Sequence, residues 1–93
     1  GIGCELAMKQ AKREKEMFVV GVDGAPDAEV ALKDPNGSFA ASASQDPYTM
    51  AVKAVEVAWG IKNGQKPETA KILIPTTLIT RDNLASYKGW TKP

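Results

Sequence analysis

Apolar positions follow two kinds of pattern along this chain. In residues 2–13, Gly3, Cys4, Ala7, Met8 and Ala11 recur at helical spacing and share one face. Their small size predicts a helix able to lie close to a sheet, with Cys4 a small core residue. Met17 to Val22 is a short run of apolar, β-branched residues without alternation, the pattern of a strand covered on both faces. Pro26, Asp27 and Glu29 then suit the first turn of a short helix over 26–33. "DPNG" at 34–37 predicts a turn, and "SFAASAS" at 38–44 a second strand. The longest periodic segment follows. Asp46 can cap it, Pro47 can take its first position, and Asn63–Gly64 can stop it. Met50, Ala54, Val57, Ala58 and Ile61 form its apolar face. "ILIPTTLIT", 72–80, reads as extended and is broken in two at Pro75.

The order helix, strand, helix, strand, helix, strand predicts an α/β protein with a parallel sheet. Ninety-three residues suffice for one domain or part of one. The net charge of +1 gives no electrostatic footprint for nucleic acid or an anionic membrane. The basic cluster Lys9, Lys12, Arg13 and Lys15 is interrupted by Glu14 and Glu16, and it suits a helix C-terminus. With no histidine, the serines have no partner to activate them. With a single cysteine there is no internal disulfide and no zinc site. No segment approaches a membrane span, so direct membrane insertion is not expected. "GIGCELAMKQAKREKE" has the character of a helix interior rather than a signal peptide, so the natural chain is expected to start upstream of Gly1.

The stretch "MFVVGVDGAPDAEVAL" carries the main candidate chemistry. Ligands of open α/β sheets bind beyond the carboxyl ends of the strands. Asp23 falls at such an end between Gly21 and Gly24, and Gln45 ends the next strand. A carboxylate and a carboxamide at adjacent strand ends can hydrogen-bond a polyhydroxylated ligand. The same spacing also suits a simpler arrangement. Asp23 could cap the helix that begins at Ala25 or Pro26, and Gln45 could tie down a loop. Trp59 and Trp90 suit packing better than sugar stacking. "GVDGAP" lacks the spacing and lysine of a phosphate loop.

"VVGVDGAPDAEVALKD", "FAASASQDPYTMAVKAVEVAWGIKNGQKP" and "IPTTLITRDNLASYKGW" together resemble the C-terminal part of periplasmic sugar-binding proteins of ABC importers, the ribose-binding-protein-like group. The likeness covers nearly the whole chain in the family's order and spacing. It implies a two-lobed periplasmic-binding-protein type I fold, with Rossmann-like lobes joined by three crossing strands and a sugar in the cleft. Residues 1–45 would belong to the C-terminal lobe and 46–74 would pack in the N-terminal lobe. Residues 75–93 would return through a hinge near Pro75 as the last strand and tail.

By the same resemblance, Asp23 and Gln45 would bind the hydroxyls of a sugar or polyol. The ring-stacking aromatics would lie upstream. The implied protein is no enzyme and needs no cofactor or metal. It closes about a hinge on its ligand and delivers it to an ABC permease. Its place is the periplasm, or the outer face of a Gram-positive cell through a lipid anchor. The 93 residues alone would bind sugar negligibly. They would need the missing N-terminal part, or a self-association partner, to cover the long helix. Effector domains of lac-repressor-type transcription regulators share the fold and form the alternative. An upstream signal peptide or an upstream helix-turn-helix would separate the two.

Overall fold

The computed structural model describes residues 1–93. The elements are α1 (Ile2–Gln10), β1 (Val19–Asp23), α2 (Pro26–Lys33), β2 (Phe39–Ser44), α3 (Pro47–Lys62) and β3 (Thr77–Thr80), followed by one 3₁₀ turn (Leu84–Ser86). The sheet order is β1-β2-β3. β1 and β2 pair in parallel through α2, with Asp23 opposite Ser44. β3 runs antiparallel to β2, with Thr77 opposite Ser44 and Thr80 opposite Ala41. The fold is therefore α/β with a mixed, mostly parallel sheet, and its last strand departs from the all-parallel expectation. The reason is topological. The chain leaves β2 along α3 and comes back from the same end, so β3 must run the opposite way.

α2 forms where Pro26, Asp27 and Glu29 favour its start and Lys33 its end. Ala28 and Leu32, one turn apart, face the sheet and are buried. They pack with Phe39 and Ile79 into a four-residue core. Burying each of the larger three contributes about 1.5–3 kcal/mol. β2 is built of Phe, Ala and Ser, so α2 can approach it closely. Gly21 serves the same packing, because a Cβ there would sit 2.9 Å from Cζ of Phe39. Arg81 closes this end. Its guanidinium donates to the main-chain oxygens of Leu32 (2.9 Å) and Phe39 (3.1 Å).

α1 ends at Gln10, earlier than the periodicity suggests, in a turn where Lys12 has φ +58°. Its buried residues are Glu5 and Met8, while Cys4 is exposed, so the small-residue face does not meet the sheet. What anchors α1 is polar. The Glu5 carboxylate accepts the main-chain N–H of Phe39 at 2.7 Å.

Two apolar surfaces lack a cover. On the far face of the sheet, Val20 and Val22 are 56% and 69% exposed, and Leu78, across Ala43 of β2 from Val22, is exposed as well. β1 is thus covered on one face only, not two. α3 projects from the body, has no buried residue and takes part in none of the main packings between elements. The molecule is accordingly 59 × 23 × 16 Å, with a radius of gyration of 17.5 Å. A compact chain of this length would have about 12 Å. Ile72 and Leu73, expected in a strand, lie in irregular backbone and are exposed.

Candidate functional site

The carboxyl ends of β1 and β2 lie side by side, which places Asp23 and Gln45 on one edge. The Gln45 main-chain N–H donates to the Asp23 carbonyl at 2.9 Å. The Gln45 Nε2 donates to Asp23 Oδ1 at 2.5 Å. The two side chains are therefore already aligned with each other. That arrangement leaves the other carboxylate oxygen and the amide oxygen as free acceptors, with a second amide N–H as a donor. Asp23 does not cap α2. The cap position is Ala25, and no side chain bonds the first turn there. Gln45 does tie down a loop, and it does so through Asp23.

Asp23 has φ +94°, a region side chains rarely adopt. Gly24 follows at φ +62° and is buried. The turn out of β1 is held by four donors and acceptors drawn from far along the chain. The Trp90 Nε1 donates to the Asp23 carbonyl at 2.9 Å. The Tyr87 hydroxyl donates to the Gly24 carbonyl at 2.7 Å. The Gly24 N–H donates to Oγ of Ser42 at 3.0 Å, and Ser42 is fully buried. The fourth is the Gln45 N–H. Burial, and to a lesser degree the nearby Glu29 and Asp46 carboxylates, raise the Tyr87 phenol above its ordinary value of 10.0, so its donor proton is firmly held. Neither Trp90 nor Tyr87 stood out in the sequence as part of this edge. No local spacing connects residues that lie more than sixty positions from Asp23.

Asp46 follows Gln45 and is the N-cap of α3, as its position before Pro47 suggests. Its carboxylate accepts the Thr49 N–H (2.9 Å), the Thr49 hydroxyl (2.7 Å) and Lys88 Nζ (2.7 Å). The Lys88 bond first, and then the two Thr49 bonds, lower its carboxyl from 3.8 to about 2. A cavity of about 450 Å³ opens beside it, lined by polar groups of Gln45, Asp46, Asn83, Ser86, Tyr87 and Lys88 among others. A second, of about 310 Å³, lies between Val22, Met50 and Ile72–Ile74 and is mainly apolar. Gln45 and Asp46 border both; Asp23 borders neither and sits on the open edge. Trp59 lies on exposed α3, with Lys62 Nζ 5.2 Å from its ring centre and far from this edge by sequence and element. No group of His, Cys, Asp or Glu side chains is placed to hold a metal ion. No helix is long and apolar enough to cross a membrane.

No family model matches the chain. Individual proteins do. It is 38% identical over 76 residues to the ribose import binding protein RbsB of Salmonella typhimurium, covering 82% of this chain and 25% of that protein. It is 33% identical over 89 residues to a putative rhizopine-binding protein of Rhizobium meliloti, covering 95% of this chain and 28% of the relative. Among solved structures, an ABC transporter solute-binding protein from Agrobacterium vitis with bound allitol superposes with a TM-score of 0.81. The match has 24% identity over 90% of this chain and 28% of the other. An ABC sugar transporter subunit from Rhodobacter sphaeroides superposes at 0.76, with 30% identity over 88% of this chain and 28% of the other. The chain thus spans about a quarter of the length of the relatives it matches. These relatives are transport binding proteins, not enzymes. In sequence and in fold, the chain matches a fragment of a periplasmic sugar-binding protein of the ribose-import type.

Proposed function

We propose that this chain is the part of a sugar- or polyol-binding receptor that supplies Asp23 and Gln45 to the ligand cleft. The observation that carries the reading is the pairing of these two side chains at adjacent parallel-strand ends, on an open edge, with acceptors and donors to spare. Such a pair matches vicinal hydroxyls, which donate and accept at neighbouring atoms. The names of the relatives support the ligand class: ribose, rhizopine and, in a solved structure, allitol.

In this reading, residues 1–45 and 75–93 form the body of one lobe and 46–74 reach into the other. The projection of α3 and its exposed Met50, Val52, Val55 and Trp59 support that division. The three places where the chain would cross between lobes lie near Gln45–Asp46, near Pro75 and outside these residues. The ligand would be trapped by hinge closure, and the closed form would be handed to an ABC permease at the outer face of the inner membrane. The periplasm is the compartment the relatives indicate. No observation favours the transcription-regulator reading.

The test is calorimetric titration of the native, full-length protein with D-ribose, allitol and myo-inositol. At least one should bind. Asp23→Ala should weaken that binding about 10- to 100-fold, the scale of a hydrogen bond to a charged group. Wild-type affinity in Asp23→Ala, or no binding of any of the three, would overturn the reading.

A further inference from the structure

The main chain beneath the Asp23 carboxylate is held in a rare conformation by residues of the C-terminal tail. Asp23 has φ +94°, and a non-glycine residue stays there only when its surroundings over-determine it. A carbonyl oxygen has two lone pairs, and those of Asp23 receive the Gln45 N–H and the Trp90 Nε1–H, each at 2.9 Å. The next carbonyl, Gly24, receives the Tyr87 hydroxyl at 2.7 Å. The Asp23–Gly24 peptide is bonded at its other side too, because the Gly24 N–H donates to Ser42 Oγ at 3.0 Å, so it cannot rotate without breaking bonds on both sides. Tyr87 holds the Gly24–Ala25 peptide that follows. A buried glycine makes the clamp possible. Gly89 has φ +75°, and the turn it makes carries Trp90 back over the end of β1.

We propose that Trp90 and Tyr87 are positioning residues of the ligand site. Both aim the Asp23 carboxylate through the main chain: Trp90 by bonding the Asp23 carbonyl, Tyr87 by bonding the Gly24 carbonyl one peptide further on. The inference rests on Asp23 being a ligand contact, as proposed above. It adds that affinity depends on two aromatic donors in the tail.

The experiment uses the full-length protein and the same three probes. Trp90→Phe and Tyr87→Phe keep a ring and remove one donor each. Each should lose about five- to tenfold in affinity, the scale of one hydrogen bond. Hydrogen exchange in the unliganded protein should quicken at the Gly24 and Gln45 amides and stay unchanged in α2. Combined with Asp23→Ala, the loss caused by Trp90→Phe should shrink to under about twofold, because residues acting through one group are not additive.

Wild-type affinity in both aromatic variants, with Asp23→Ala weakened, overturns the inference and leaves the sugar site standing. A Trp90→Phe loss undiminished in the Asp23→Ala background, or unchanged exchange at Gly24 and Gln45, overturns it as well. Wild-type affinity in Asp23→Ala removes the site itself and the inference with it.

Discussion

Lys88 Nζ lies 2.7 Å from Oδ2 of Asp46, joining the tail to the cap of the long helix across 42 positions. The same carboxylate accepts the N–H and hydroxyl of Thr49. One side chain thus secures the exit of β2, the start of α3 and the tail. Its carboxyl is held at about 2, below 3.8 when free, so the folded state favours the charged form. The resulting stabilisation is fully present above pH 3.8 and is lost as pH falls from there towards about 2. Thermal unfolding followed from pH 5 to pH 2 should therefore show a smaller acid-side loss in Asp46→Asn than in the wild type. Lys88→Met should behave in the same direction, because it removes the largest cause. Superimposable profiles for wild type and Asp46→Asn would refute the assignment.

Gly24 is predicted to tolerate no side chain. An added Cβ would meet Cδ1 of Ile79 and the Tyr87 hydroxyl at 2.8 Å, and Cβ of Ser44 at 2.9 Å. Ser44 Cβ is fixed to the sheet and cannot yield by rotating. Crowding of this kind costs about 1–3 kcal/mol. The left-handed φ of +62° adds about 1–2 kcal/mol for any residue but glycine. Gly24→Ala should lower the midpoint of chemical denaturation accordingly. Ser42→Ala attacks the same turn from beneath. It strips the partner from a buried Gly24 N–H and should cost about 1–3 kcal/mol. An unaltered midpoint in either variant would contradict this account of the turn.

Glu5 offers a test of how α1 is attached. It is 9% exposed, and its Oε2 accepts the Phe39 N–H at 2.7 Å. Glu5→Ala leaves that N–H without a partner and should destabilise by about 1–3 kcal/mol. Glu5→Gln can still present an oxygen to Phe39 and should recover much of the loss. If Ala and Gln cost the same, the docking is apolar and rests on Met8 rather than on the carboxylate.

The elements that the sequence made legible are those whose signals are local. Pro26 and Pro47 mark two helix starts, Asp46 caps where its position suggests, and Asn63–Gly64 ends α3. The strand ends were legible for the same reason, so Asp23 and Gln45 could be placed on one edge. Less legible was anything decided by partners distant along the chain. Small residues on α1 suggested an apolar face, yet a single carboxylate bonding Phe39 sets its orientation. Val20 and Val22 have the composition of doubly covered strand positions, while this chain covers one side only. The clamp from Tyr87 and Trp90 left no pattern at all, because hydrogen bonds across more than sixty positions follow from the fold and not from periodicity. Strand direction was hidden too. A run such as "TTLIT" is equally good parallel or antiparallel, and only the path of the preceding chain decides.

α3 gives the last prediction, and it concerns the division of the chain between lobes. A helix with apolar residues on several sides is expected to be covered. Here Met50, Val55, Trp59 and Ile61 are exposed, and Val57 is only half-covered. Val57 lies on the stripe of Met50, Ala54 and Ile61. At a solvent-facing helix position Val57→Glu would alter stability by no more than about 0.5 kcal/mol. If residues upstream in the full-length protein bury that stripe, an unpaired carboxylate must be placed in an apolar contact, at a cost of several kcal/mol. In the full-length protein, Val57→Glu should therefore lower the denaturation midpoint sharply. Glu56→Lys serves as the control: Glu56 pairs only with Lys53 at 3.4 Å on the exposed surface and should matter little. Equal, small effects from both substitutions would mean that the stripe stays in water, and the assignment of 46–74 to a second lobe would fail.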